Sequence, residues 1–174
     1  YLPTILLHEL GHAAACKRFT NKVGEIGFGI YFLFPVFYSD VSSIWKATKE
    51  QRIITNLAGV YMHRWCSLLF WILSKVFDQA MFLQMAFLLA IYSFFQLIPF
   101  IRSDGYWILS DLTSTPNLHQ RSKAEIKQIF SKTYFSSKEF NWKQFLILIY
   151  GSINFFLFAY FILYQLLFNW QEIL

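Results

Sequence analysis

Thr4-Ile5-Leu6-Leu7-His8-Glu9-Leu10-Gly11-His12-Ala13-Ala14-Ala15-Cys16-Lys17-Arg18 is an apolar run interrupted by two histidines and a glutamate and closed by two basic residues. Read as a helix, it sets His8 and His12 four residues apart on one face, so both imidazoles can reach one ion. Glu9 then lies beside that ion, placed to take a proton from water. Pro3 stands near the start, where proline is tolerated, and Lys17 and Arg18 mark the far end. Ionisable groups in so apolar a helix are costly at membrane depth and mark function there by default.

The rest of the chain has the same apolar character. Of its 174 residues 56% are hydrophobic and 14% charged, against roughly 25% charged in soluble domains. Residues 80–101 form an uncharged stretch of 22 residues and 144–170 a second of 27. Each exceeds the roughly 20 residues that cross a bilayer. Residues 53–74 make a third candidate, interrupted by His63 and Arg64. The expected fold class is an all-α membrane protein: a four-helix transmembrane bundle, one domain over 1–174, with a small re-entrant β-hairpin after the first helix. Residues 1–16 are too short to span alone and lack an initiator Met, so the natural protein is expected to begin upstream. No basic n-region precedes the apolar run, which argues against a signal peptide.

Charge placement excludes one class of partner and sets an orientation. The formal net charge is +5, and segments 17–52 and 102–143 hold 13 of the 15 Lys and Arg residues, whereas 75–79 holds only Lys75. With four spans those two segments share a side, and the positive-inside bias makes it cytoplasmic. Basic loops of this kind set topology, so nucleic acid is not expected as a partner; the lipid bilayer is. Cys16 and Cys66 are far apart without a C-x-x-C, which gives neither a disulfide framework nor a thiolate metal site.

Helix one is expected over about Thr4 to Arg18, helix two over 53–74, helix three over 80–98 ending at Pro99, and helix four over 144–169. A short helix is expected around Lys123 to Ser131. Val23 to Tyr38, rich in glycine, β-branched and aromatic residues with Pro35 inside, reads as an extended hairpin. So apolar a hairpin is tolerated at membrane depth where it is buried in protein or lines a cavity. Residues 39–52 read as an amphipathic, interfacial lead into helix two. A catalytic zinc takes a third protein ligand and keeps a position for water. The best candidate is Asp104, just past helix three at the cytoplasmic end, the side on which His8 and His12 also fall. Pro99 ends the helix and Gly105 permits a tight backbone approach, so the carboxylate can turn back into the bundle.

With these residues in view, the chain resembles the site-2 proteases, zinc intramembrane metalloproteases. The resemblance rests on His8-Glu9-Leu10-Gly11-His12, on Glu25-Ile26-Gly27-Phe28-Gly29, and on Pro99 to Gly105, where Asp104-Gly105 stands for the family's Asp-Gly. It extends from the first residue to about Leu112. It implies that His8, His12 and Asp104 bind Zn2+ and that Glu9 is the general base. It further implies that the hairpin, Ile26, Gly27, Phe28 and Gly29 in particular, aligns the substrate. The continuation Tyr106-Trp107-Ile108-Leu109 is similar to the branch associated with bacterial peptide processing. The chain departs from the family pattern in three places. Gln96 replaces the usual Asn before the helix-ending proline, keeping a primary amide that the resemblance implies for positioning the substrate carbonyl. Arg102 replaces a second proline, and Ala58-Gly59-Val60 replaces a small-Gly-Pro motif.

Other polar residues read as structural. His63 reads as a packed or water-lined histidine in helix two, Arg64 as snorkelling or paired, and Glu25, Asp40, Asp111 and His119 as surface residues. The expected function is zinc-dependent hydrolysis of peptide bonds in a transmembrane or peptide substrate, with the active site towards the cytoplasm. The alternative is a catalytically inactive zinc- or peptide-binding scaffold of the same fold. A transporter or channel fits less well, because the polar residues gather at one depth instead of recurring through several helices.

Overall fold

The computed structural model describes residues 2–22, 24–31, 34–99, 102–129 and 142–168. Val23, the hairpin residues Phe32 and Leu33, Phe100 and Ile101, the segment 130–141 and the end of the fourth apolar run beyond 168 lie outside the described residues. In chain order the elements are α1 (Leu2–Thr20), β1 (Ile26–Tyr31), β2 (Phe34–Ser39), a 3-10 helix (Ser42–Lys46), α2 (Lys49–Phe77), α3 (Ala80–Gln96), α4 (Asp104–Thr113), α5 (Leu118–Ile129) and α6 (Trp142–Phe168).

Local chemistry explains the boundaries. α1 ends where Asn21 takes a left-handed φ of 55° and its N–H bonds the Lys17 carbonyl at 2.9 Å, a conformation Asn tolerates. α2 opens on a capping box: the Thr48 side chain accepts from Gln51 N, and the Gln51 side chain accepts from Thr48 N. It closes at Asp78, again left-handed. The hairpin pairs β1 and β2 antiparallel from Ile26↔Ser39 to Tyr31↔Phe34. One more backbone bond, Asp40 N to Glu25 O at 2.8 Å, continues the pairing past Ser39.

The chain forms two compact units, Tyr1–Leu112 and Thr113–Leu174. In the first, α1 packs on α2, α2 on α3, and the hairpin on α1. The α1–α2 crossing is close because a Cβ on Gly11 would stand 2.7 Å from the Ala58 carbonyl oxygen; small residues let helix backbones approach in this way. In the second unit α5 lies along α6, with Ser122 and Ile126 against Gly151.

Among the described residues one helix, Trp142–Tyr164, is long and apolar enough to cross a membrane, and Ala80–Gln96 is a shorter apolar helix. The expected set of four spans is therefore met by one on length and composition. α3 has 17 residues, short of the roughly 20 that a bilayer takes, and α1 carries His8, Glu9, His12, Lys17 and Arg18. The short helix begins at Leu118 rather than Lys123, and α4 stands where a polar segment is expected.

Candidate metal centre and cleft

Two elements bring three side chains to one point. His8 and His12 project from α1 at helical spacing, both buried. Asp104 comes from the first residue of α4. Gly105 lets that helix start against the end of α3, since a Cβ there would collide with the Leu97 backbone; the close approach read from sequence is present. His8 Nε2 and His12 Nε2 are 3.0 Å apart. His8 Nε2 lies 3.4 Å from Asp104 Oδ2, and His12 Nε2 lies 3.4 Å from Asp104 Oδ1.

Those spacings fit an ion. Ligands at about 2.0–2.1 Å from a tetrahedral zinc stand about 3.3–3.4 Å from one another, and the three observed separations, 3.0, 3.4 and 3.4 Å, lie on that scale. Asp104 Oδ2 is buried with no hydrogen-bond partner, a costly state unless something else meets it. His12 is oriented from behind: its Nδ1 donates to the Thr55 carbonyl at 2.7 Å, which leaves Nε2 as the lone-pair end facing the other two groups. Gly59 of α2 lies against both imidazoles, where a Cβ would overlap His12 Nε2 and His8 Cε1.

Glu9 stands next to this triad and is itself held. Ser39, the last residue of β2, donates its hydroxyl to Glu9 Oε2 at 2.7 Å. A cavity of about 270 Å³ opens beside the triad. Glu9, His12 and Asp104 line it together with Ser39, Trp45, Arg52, Asn56, Trp107 and Asp111. Arg52 Nε donates to Asp111 Oδ1 at 2.7 Å, and Trp45 meets Trp107 edge to face at 5.7 Å.

Over 111 residues the chain is 30% identical to a Bacillus subtilis (strain 168) protein named "Putative peptide zinc metalloprotease protein YydH". The match takes in 63% of this chain and 44% of that relative, so the chain spans less than half of the relative's length. No family model matches, and no solved structure matches. Within this chain, His8, His12 and Asp104 form a group of side chains able to hold a metal ion.

The remaining residues singled out in the sequence fall elsewhere. Ile26, Gly27, Phe28 and Gly29 lie on β1, outside the cavity wall, with Phe28 exposed. Gln96 is also absent from that wall; its Oε1 is buried and its amide lies beside His63. His63 is fully buried, stacked on His8 at 4.6 Å and edge-on to Tyr92 at 5.3 Å, so it backs the triad without joining it. Asp40 is exposed and accepts from Ser42 N at 2.9 Å. Hydrogen bonds from Ser42, through hydroxyl and backbone N–H, hold its carboxyl below the usual carboxylate range. Asp111, read as a surface residue, is instead buried.

Sequence reasoning left Arg52, Asn56, Trp45 and Trp107 without a role in the site. A signal was available for two of them. Arg52, Asn56, Gly59 and His63 recur at steps of four, three and four, a single helical face.

Proposed function

We propose that the chain is a zinc-dependent endopeptidase of the site-2 protease kind, acting on a membrane-embedded or membrane-associated protein or peptide. The observation that carries this reading is the convergence of two imidazole Nε2 atoms and a carboxylate at 3.0–3.4 Å, with a glutamate lining the same cavity as His12 and Asp104. His8, His12 and Asp104 would hold the metal. Zinc, when bound, supplies Lewis acidity that polarises a carbonyl and makes water more acidic.

The chain's own residues do the rest. Glu9 takes a proton from the attacking water and delivers it to the leaving amine. Ser39 fixes one Glu9 oxygen and leaves the other for that transfer. The substrate enters extended, because a helix keeps its carbonyls in internal bonds. β1 offers it an edge, since within the two-stranded sheet β1 pairs only with β2, and strand addition gives affinity with little sequence demand. A multi-pass arrangement with the cavity towards the cytoplasm follows from the distribution of Lys and Arg.

Purified protein in detergent should hold one zinc and release product from a fluorogenic peptide library. Glu9→Gln should hold the same zinc and release none, and Asp104→Ala should lose the metal. Turnover by Glu9→Gln at the wild-type rate would remove Glu9 from the reaction. Stoichiometric zinc with no product from any peptide would favour the inactive scaffold.

A further inference from the structure

Several polar groups around the cavity are already paired. Ser39 donates to Glu9 at 2.7 Å, His12 to Thr55 at 2.7 Å, and Arg52 to Asp111 at 2.7 Å. Asn56 differs. It lines the same cavity, yet its side-chain amide makes no hydrogen bond with any described residue. It sits three residues before Gly59, the residue packed against both imidazoles, which places it about 4.5 Å along the α2 axis from that contact. An amide with one acceptor and two donor hydrogens, lining a cleft beside the candidate metal centre, is available to a ligand that enters.

We infer that Asn56 is the side chain that binds the substrate's main chain next to the scissile bond, its Nδ2 donating to a peptide carbonyl and its Oδ1 accepting from a peptide N–H. The inference rests on the proposed peptidase reading and deepens it. The alternative amide, Gln96, lies beside His63, behind the triad and off the cavity wall. Peptide backbone is the ligand chemistry that suits Asn56, because a neutral amide pairs with a peptide group at both ends without placing a charge near Glu9 and Asp104. Asn56 is half-buried, so its amide is open to whatever occupies the cavity.

The test uses the full chain, loaded with zinc in detergent, and two probes with one metal-binding head. Acetohydroxamate carries the head alone; dileucine hydroxamate adds a peptide main chain. Asn56→Ala should weaken dileucine hydroxamate at least roughly tenfold, since both hydrogen bonds to the main chain are lost, and leave acetohydroxamate and zinc stoichiometry unchanged. Asn56→Leu, close to isosteric, should do the same and guards against a folding defect in the smaller variant. Gln96→Ala should change neither probe. Wild-type affinity for dileucine hydroxamate in both Asn56 variants, or a loss that follows Gln96→Ala instead, overturns the assignment while leaving the zinc site standing. A wild-type protein that holds no zinc overturns the peptidase reading and the inference with it.

Discussion

Gly59 lacks a side chain where the imidazoles of His8 and His12 need the room. A Cβ there would overlap both rings, and the rings are not free to retreat. His12 is tied by its 2.7 Å bond to Thr55 O, and His8 is backed by His63 at 4.6 Å. Gly59→Ala should therefore lower zinc affinity at least about tenfold, the scale on which disturbed ligand orientation acts, and cost about 1–3 kcal/mol of stability through overpacking. A chelator competition titration alongside thermal unfolding reads both effects. Zinc held at wild-type affinity would mean that the rings can yield without losing their convergence.

At the scale of elements, α4 is the piece that carries Asp104 to the histidines, and it is secured from its far end. Arg52 of α2 bonds Asp111 at 2.7 Å, and Lys49 Nζ donates to Leu112 O at 2.8 Å. Arg52 and Asp111 are 22% and 8% exposed, so their pairing is partly shielded and stronger than a surface bridge. Asp111→Ala should weaken zinc binding severalfold although Asp111 touches no ligand. In a double-mutant cycle with Arg52→Ala the pair should couple by about 1 kcal/mol in unfolding. Additive effects would show that α4 is held by something else. This helix also marks where sequence reading stopped. α1, α2, α3 and α6 were legible because long apolar runs are bounded by Pro3, Lys17-Arg18 and Pro99, and the hairpin because glycine, β-branched and aromatic residues cluster over 23–38. His8, His12 and Asp104 were legible from spacing and from falling on one side of the chain's charge asymmetry. α4 was not: its ten residues follow a proline and an Asp-Gly pair, a pattern that reads as a turn. Asp111 looked like a surface carboxylate because its partner Arg52 lies 59 positions away, and no local period reports such a contact.

For the whole molecule, the division into units bears directly on function. Every group of the candidate centre, and every residue of the cavity wall, falls within Tyr1–Leu112. The second unit contributes α6, which among the described residues is the helix long and apolar enough to cross a membrane, and α5, whose Ser122 and Ile126 lie against Gly151 of α6. The candidate metal centre and the long apolar helix thus fall on different stretches of chain. A chain cut after Pro116 should accordingly keep zinc at wild-type stoichiometry and affinity, because His8, His12, Asp104, Gly59 and the Arg52–Asp111 pair all remain. Metal analysis of the shortened and full chains, each purified in the same detergent, decides the matter. Loss of zinc from a shortened chain that still shows its full helical signal by circular dichroism would mean that α5 or α6 supplies part of the centre.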